Sequence, residues 1–277
     1  MIKDIVFDFG GVLIEIDTAN AIKKFSELGL DNPQSYLNSY RQTGIFYALE
    51  NGDITGEEFV SELSKLCGCN ITYADARDAW MGFIVKVQTE YLQWLQSIRP
   101  KYRLSILSNT NPFLQGWARS SSFTPDGKGL DDYFDALFLS YLMHCSKPSE
   151  AIYEKMLKDG DMKPEETLFV DDSEKNIEAA QKAGINGAKA DAKSVKMLRR
   201  SLHIGREIAE MQIGKAARVG GKKGRWNRYH LVSHHRKRGH DHRQRASAKA
   251  GKIVNGGNAR RRKTFQHKIY KSFRKKR

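Results

Sequence analysis

The chain has 277 residues, with 47 Lys and Arg against 32 Asp and Glu and a net charge of +15. This length accommodates one α/β domain with an insertion or an appended segment. No run of about 18 apolar residues occurs, and the first residues read as a strand and not as a signal peptide. These features argue against a membrane or secreted protein and predict a cytoplasmic one, which its three cysteines also fit.

The charge is unevenly distributed along the chain. Residues 211–277 contain 23 of the 47 Lys and Arg and a single acidic residue, Asp241, so this segment carries +22 and the remainder carries −7. The pattern is typical of an acidic globular body followed by a strongly basic tail.

The first predicted element is a buried strand at residues 5–7, a β-branched and aromatic run. Asp8 follows it directly, and Gly10 and Gly11 come next. In an open α/β sheet, ligands bind at the carboxyl ends of the strands, and glycines allow the backbone to approach them closely. Asp8 is therefore a candidate catalytic residue, although a lone Asp after a strand is also a common turn residue.

A series of helices is predicted between the first strand and residue 88. Asp17 caps a helix over 18–28, Thr55 and Glu58 form a capping box for a second, and a third follows Thr72. Four aromatic residues of this region either line a substrate pocket or form the hydrophobic core of the helical region. We favour the core for this set: Phe46, Tyr47, Trp80 and Phe83.

Further strands are predicted at residues 104–107, 136–140 and 167–170, alternating with helices. This alternation predicts a Rossmann-like, doubly wound parallel α/β sheet. The strand at 104–107 ends in Ser108 and Asn109, whose side chains suit phosphate oxygens.

Charged residues follow at two later positions. Lys147 precedes a proline that helps to fix it, and the strand at 167–170 ends in Asp171 and Asp172. Adjacent carboxylates repel each other, so a site that keeps both usually contains a cation.

These motifs, in this order and at strand ends, resemble the haloacid dehalogenase (HAD) superfamily over roughly residues 1–200. The motifs are most similar to those of subfamily IA, in the branch that resembles the glucose-1-phosphate phosphatases and, more distantly, the phosphatase domain of soluble epoxide hydrolase. The resemblance rests on four sequence motifs: Phe-Asp-Phe-Gly-Gly-Val-Leu at 7–13, Leu-Ser-Asn-Thr-Asn at 107–111, Ser-Lys-Pro at 146–148 and Phe-Val-Asp-Asp-Ser-Glu-Lys-Asn at 169–176.

The resemblance implies a Mg²⁺-dependent phosphatase that acts on a small phosphate ester, such as a sugar phosphate. Asp8 would attack phosphorus and form an aspartyl-phosphate that water then hydrolyses. Mg²⁺ would be bound by the Asp8 carboxylate, the Gly10 carbonyl oxygen and Asp172. Asp171 would bind the metal through water or position Lys147.

The remaining roles implied by the resemblance concern the phosphoryl group. Ser108 and the Asn109 amide would hold it, Lys147 would offset its charge, and Asn176 would support the site from behind. Dehalogenation by the same aspartate is the competing chemistry. It requires no metal, and the pair of carboxylates at 171 and 172 argues against it.

The sequence departs from the superfamily pattern at one position. Most of these phosphatases have a second Asp two residues after the nucleophile, which protonates the leaving oxygen, and here that residue is Gly10. Three explanations are open: a leaving group that needs less help, such as an anomeric sugar oxygen; an acid supplied by the cap or by His144; or a slow or inactive enzyme. By analogy with the glucose-1-phosphate branch, which tolerates Gly here, we favour the first.

The resemblance also predicts the domain organisation. Residues 1–15 and 88–204 would form the core, 16–87 an inserted helical cap that selects the substrate, and 205–277 a basic tail that is disordered. The sequence does not predict the oligomeric state.

The tail supports an alternative function. Its charge over residues 214–277 would bind nucleic acid without sequence preference, with the α/β body as a weak or inactive scaffold. The interpretation that we favour is a passive tail, or one that comes from a gene fusion or an altered reading frame. Its five clustered histidines are read as part of the basic tail in preference to a metal site: His230, His234, His235, His240 and His242.

Overall fold

The computed structural model describes residues 1–37 and 42–190. The predicted basic tail, its proposed nucleic-acid contacts and its histidines lie outside these residues, as does the predicted end of the core at residue 204. Among the helices of the described part, none combines the length and apolar character needed to cross a bilayer.

A five-stranded parallel sheet forms the centre of the described fold. Its strands are β1 (Asp4–Phe7), β4 (Arg103–Ser108), β5 (Ala136–Leu139), β6 (Thr167–Asp171) and β7 (Asn186–Lys189), in the spatial order β5-β4-β1-β6-β7. Neighbouring strands are all parallel. This arrangement confirms the predicted doubly wound α/β sheet, with β1 in the middle.

Ten α-helices flank or cap the sheet in the described residues: α1 (Thr18–Glu27), α2 (Gly44–Asn51), α3 (Gly56–Cys67), α4 (Tyr73–Trp80), α5 (Thr89–Ile98), α6 (Pro112–Ala118), α7 (Leu130–Tyr133), α8 (Ser140–Met143), α9 (Glu150–Gly160) and α10 (Glu174–Lys182). Single 3₁₀ turns lie at Pro33–Ser35, Met81–Phe83 and Pro164–Glu166.

The predicted helix starts were accurate where a side chain caps the helix. Asp17 accepts hydrogen bonds from the amides of Ala19 and Asn20 at the start of α1. The Thr55–Glu58 capping box is present in both directions. A side-chain cap satisfies amides that have no partner within the helix, so it fixes the boundary locally, independently of the rest of the fold.

A second, two-stranded antiparallel sheet was not predicted. It joins β2 (Ile14–Ile16) to β3 (Ile84–Val87). The two strands enclose α1 to α4, so the helical insertion leaves and rejoins the core through this ribbon.

The helical insertion has its own hydrophobic core. Three of the four aromatic residues considered above are buried in it, namely Phe46, Trp80 and Phe83, whereas Tyr47 lines a cavity. Phe46 and Trp80 have ring centroids 5.5 Å apart, and Phe113 of α6 joins the same cluster from the sheet domain. This continuous packing holds the insertion over the carboxyl end of the sheet.

Candidate active site

The carboxyl ends of three adjacent strands bring the candidate residues together. β1 lies between β4 and β6, with Phe7 in register with Ile106 and with Val170. Asp8 therefore follows β1 at the level where β6 ends in Asp171, and Ser108 ends β4 on the other side. The two apolar runs and the polar residues that follow them thus converge at one edge, as the sequence predicted.

Lys147 occupies the centre of this edge. Its Nζ lies 2.8 Å from Asp8 Oδ1 and 2.7 Å from Asp171 Oδ2. Its side chain is only 2% exposed. Burial alone would lower the pKa of Lys147, but the charges of Asp8 and Asp171 raise it above its usual value. The ammonium group therefore stays charged and neutralises one of two carboxylates that would otherwise repel each other.

Asn109 fixes the loop that carries Lys147. Its Oδ1 accepts a hydrogen bond from the Lys147 amide at 2.8 Å, and its Nδ2 donates to the Lys147 carbonyl oxygen at 3.0 Å. From the sequence, the Asn109 side chain suits phosphate oxygens, and the resemblance assigns the phosphoryl group to the Asn109 amide. In the structure the side chain ties the end of β4 to the loop between α8 and α9.

Asp171 has both oxygens occupied by protein donors. Oδ2 accepts from Lys147 Nζ, and Oδ1 accepts from the Ser173 amide at 2.8 Å. Asn176 Nδ2 lies within 3.0 Å and 3.1 Å of the two oxygens. Of the two roles considered for Asp171, positioning Lys147 is the one that these contacts support, and Asn176 holds Asp171 in turn.

Asp172 contrasts with its neighbour because it is exposed to the cavity above the sheet. Desolvation and the charge of Asp171 both raise its pKa. Ligand atoms of Asp8, Asp171 and Asp172 lie within 4.8 Å of one another. Because Asp171 already has its donors, Asp8 and Asp172 are the two carboxylates with capacity left for a cation.

This donor set fits Mg²⁺. The ion prefers oxygen ligands, is usually bound through one or two carboxylates, and keeps its other positions for water and substrate phosphate. Asp8 and Asp172 would supply the carboxylates, and Gly10, which also lines the cavity, would supply its carbonyl oxygen. Burial raises the pKa of Asp8 to about 7 against the opposing effect of Lys147. A cation at this site would favour the ionised carboxylate that a nucleophile requires.

A polar cavity of about 900 Å³ opens above these groups, between the sheet edge and the helical insertion. Six predicted site residues line it: Asp8, Gly10, Asn109, Lys147, Asp172 and Asn176. Ser108 and Asp171 do not, and both are buried beneath its floor. The Ser108 hydroxyl donates to the Asn109 carbonyl oxygen at 3.3 Å, so it must rotate before it can bind a phosphoryl oxygen.

The helical insertion contributes Tyr47 to the cavity, for which we had favoured a place in the core, and three residues that sequence reasoning missed: Gln42, Glu50 and Asn51. In the sequence, residues 50–53 read Glu-Asn-Gly-Asp, a pattern that predicts a break in the chain. The break is real, since Gly52 ends α2 with a φ of +75°. A polar pair directly before such a turn, within a predicted cap, was the signal that could have identified Glu50 and Asn51.

Gly11 supports the orientation of Asp172, and its substitution provides a test. Gly11 has a φ of +73°, and a Cβ built there would lie 2.4 Å from Asp172 Oδ2. We expect Gly11→Ala to displace that carboxylate and weaken Mg²⁺ activation by about 10- to 100-fold. The measurement is the Mg²⁺ dependence of phosphate release.

Gly68→Ala is the matched control for Gly11→Ala. Gly68 has a similar φ of +65°, but a Cβ there meets nothing within 4 Å. Both variants should lose about 1–2 kcal/mol of folding free energy from the left-handed backbone. Only Gly11→Ala should change the response to Mg²⁺, and an equal change in both would refute the role given to Gly11.

Comparisons with known proteins show which family and which relatives this chain is similar to. Residues 5–190 match the family described as haloacid dehalogenase-like hydrolase. The chain is 44% identical over 184 residues to a D-ribitol-5-phosphate phosphatase from Bacteroides thetaiotaomicron, an alignment that covers 66% of this chain and 89% of the relative.

Solved structures give the same result. The chain resembles a predicted HAD-like family hydrolase from Porphyromonas gingivalis with a TM-score of 0.68 and 38% identity, over 72% of this chain and 98% of the other. It also resembles a HAD family enzyme from Bacteroides thetaiotaomicron in complex with magnesium and inorganic phosphate. The TM-score is 0.63 and the identity 34%, over 69% and 96% of the two chains.

Proposed function

The chain belongs to the haloacid dehalogenase-like hydrolase family and is a Mg²⁺-dependent phosphatase of small phosphorylated metabolites, and we propose that its substrate is the phosphomonoester of a sugar or sugar alcohol. The observation that carries this proposal is the cavity itself. Asp8, Lys147 and Asp172 line its floor, and hydrogen-bonding side chains from the helical insertion form its roof.

The roof suits a chain of hydroxyl groups. Gln42, Tyr47 and Asn51 offer amide and phenol groups, which both donate and accept hydrogen bonds. A polyol presents alternating hydroxyls that need such partners once they are removed from water. The activity in the name of the relative, D-ribitol-5-phosphate phosphatase, is on a substrate of this kind.

The proposed chemistry begins with Asp8. One of its carboxylate oxygens attacks phosphorus, the bond from phosphorus to the substrate oxygen breaks, and an aspartyl-phosphate forms. Water then attacks the phosphorus of this intermediate and releases inorganic phosphate. Lys147 keeps Asp8 aligned and offsets the charge of the phosphoryl oxygens, while Ser108 and Asn109 bind those oxygens. Mg²⁺, when bound, supplies further positive charge to the phosphoryl group.

Phosphate release from a panel of sugar phosphates, sugar alcohol phosphates, nucleotides and an aryl phosphate tests the proposal. We expect turnover that requires Mg²⁺, is lost with a chelator and is fastest on a sugar or sugar alcohol phosphate. Preference for nucleotides would refute the proposed substrate class. Absence of turnover on every ester, the aryl phosphate included, would refute the catalytic assignment.

The domain organisation is part of the proposal. We assign residues 1–15 and 88–204 to the core, 16–87 to the cap and 205–277 to the tail. The separate hydrophobic cluster of the helical insertion supports this division. A cytoplasmic location is also proposed, and the three free cysteines are consistent with it.

Non-specific nucleic-acid binding by residues 214–277 stays a prediction based on their charge. If it occurs, affinity for RNA or DNA should fall steeply as salt rises and should disappear when the chain is truncated after Leu202. Phosphatase turnover should not change in the truncated chain, because the cavity is built from residues before 190.

A further inference from the structure

The cavity raises a question about the leaving oxygen, because Gly10 stands where most phosphatases of the superfamily have the Asp that protonates it. The released group of a sugar alcohol phosphate is an alkoxide, which leaves slowly unless it receives a proton. If the proposed substrate class is right, another residue of the cavity must supply that proton. An anomeric leaving group, which we favoured from the sequence, would need this help less.

Glu50 stands at the end of α2, on the roof of the cavity that Asp8 lines from the floor. Its backbone is anchored to the core, since its carbonyl oxygen accepts a hydrogen bond from Ser140 Oγ at 2.6 Å. The same oxygen of Ser140 accepts from the Thr110 amide at 2.9 Å. Ser140 thus fixes the backbone position of Glu50 relative to the loop that contains Asn109 and Thr110.

The two residues after Glu50 reinforce this anchor. Asn51 Oδ1 accepts a hydrogen bond from Ser146 Oγ at 3.2 Å, directly before Lys147. Gly52 packs so closely on α8 that a Cβ there would lie 2.0 Å from the Tyr141 carbonyl oxygen. Three consecutive residues of the cap therefore contact the loops that carry the site, which keeps Glu50 in place relative to Asp8.

The Glu50 carboxyl group has no hydrogen-bond or ion-pair partner in the described residues. Among these residues, it therefore makes no polar contact that stabilises the fold. Desolvation raises its pKa to about 8. At neutral pH the group therefore carries the proton that an acid has to donate. The other titratable side chains that line the cavity are Asp8, Tyr47, His144, Cys145, Lys147, Asp172 and Lys175.

The alternatives among these are weaker. Lys147 is bound by two carboxylates, and the Cys145 thiol donates to the Met143 carbonyl oxygen while burial raises its pKa. His144 is the competitor, because it lines the cavity, but it is exposed to solvent. Glu50 is half-buried and better placed to keep a proton away from water.

We propose that Glu50 is the general acid of this phosphatase, supplied by the cap in place of the missing aspartate. As Asp8 forms its bond to phosphorus, the Glu50 carboxyl donates its proton to the substrate oxygen, which leaves as an alcohol. The resulting carboxylate then accepts a proton from the water that attacks the aspartyl-phosphate, and the site returns to its starting state. The proposal rests on the proposed function.

The test is Glu50→Gln, assayed by single-turnover release of the leaving alcohol from an alkyl phosphate and from an aryl phosphate with Mg²⁺. The aryl group leaves without a proton, so its release should change little. Release from the alkyl phosphate should fall by about 10²- to 10⁴-fold. In the wild-type protein, alkyl release should also decline above about pH 8, whereas aryl release should not.

Three further variants complete the test. Glu57→Gln, an exposed change on α3, is the matched control and should leave both rates unchanged. Gly10→Asp should partly restore alkyl release in the Glu50→Gln background, since a Cβ at Gly10 meets Ile16 only at ordinary distances of 3.7 and 3.8 Å. His144→Asn should not change the ratio of the two rates.

The results that would overturn the proposal are distinct from failure of the proposed function. Equal losses of alkyl and aryl release in Glu50→Gln would indicate a structural role, and a selective alkyl loss in His144→Asn alone would make histidine the acid. In both cases the wild-type protein is still a phosphatase. A wild-type protein that cleaves no phosphate ester would refute both proposals together.

Discussion

Asp8→Asn is expected to abolish turnover, with a loss on the order of 10⁴- to 10⁶-fold. An amide cannot attack phosphorus as a carboxylate does, and it is a poorer ligand for Mg²⁺. The loss should be of the same order on alkyl and aryl phosphates, because the transfer of either ester's phosphoryl group requires the same attack by Asp8 on phosphorus. The measurement is single-turnover phosphate transfer at saturating Mg²⁺.

The fold should survive this substitution. Asp8 is 9% exposed, and burial raises its pKa to about 7, so the ionised form is unfavourable in the folded protein. Ionisation of such a group costs stability as pH rises from its unfolded pKa towards its folded pKa. Asn removes that cost, and its carbonyl oxygen can still accept the hydrogen bond from the Phe9 amide that Asp8 Oδ1 accepts at 2.7 Å.

The exposed Asp31→Asn change is the control for Asp8→Asn and should leave turnover unaltered. Thermal unfolding at pH 8 should show Asp8→Asn at least as stable as the wild-type protein. If Asp8→Asn unfolded at a much lower temperature, unfolding would explain its loss of activity, and the loss would not identify Asp8 as a catalytic residue. A folded variant that keeps a rate within about tenfold of the wild type would show that Asp8 is not the nucleophile.

The sequence predicted four of the five strands of the parallel sheet because their signals are local, and β7 was not predicted. An apolar run that ends in Asp8, or in Asp171 and Asp172, contains both the strand and the group that the strand carries. The carboxyl ends of parallel strands meet at one edge, so the order of these runs was enough to bring their polar residues together. The ribbon of β2 and β3 was missed because it pairs residues about 70 positions apart, and neither short strand has a distinctive pattern by itself.

The sequence predicted which residues come together at this edge of the sheet, but it did not predict which of them line the cavity. Ser108 and Asp171 stand in the same sequence motifs as Asn109 and Asp172, yet the first pair is buried beneath the floor and the second lines the cavity. A one-residue step along a strand end reverses the direction of the side chain, and a motif alone does not show which direction faces the substrate.

Glu50 was missed for a different reason, because its position depends on how the cap docks. Nothing near residue 50 in the sequence indicates that Ser140 and Ser146, some 90 residues later, will hold this turn. The polar pair before the turn marks Glu50 as a candidate cap residue, but its place above the site is visible only in the assembled structure.

Lys147→Met is expected to have the largest effect on stability, a loss of about 3–5 kcal/mol in the free energy of unfolding, together with loss of turnover. The substitution keeps an unbranched side chain that is one atom shorter, and it removes the charge between Asp8 and Asp171. Both carboxylates would then be buried without a counter-charge, since Lys147 Nζ contacts each of them within 2.8 Å. Denaturant unfolding in the presence of a chelator measures the effect without help from a metal ion. The exposed Lys182→Met change on α10 is the matched control and should be close to neutral.

The destabilisation should depend on pH in a direction fixed by Asp8. Lys147 lowers the pKa of Asp8 against the raising effect of burial, so its removal would move the pKa further above about 7. When a carboxyl group has a higher pKa in the folded than in the unfolded protein, the free energy of unfolding falls as pH rises and recovers once the group is protonated. The loss in Lys147→Met should therefore be greatest at pH 8 and shrink towards pH 5.

The double variant Asp8→Asn with Lys147→Met should be more stable than Lys147→Met alone, because one of the two uncompensated charges is gone. If the double variant were less stable than the single one, the ion pair between Lys147 and Asp8 would not be what holds this edge of the sheet.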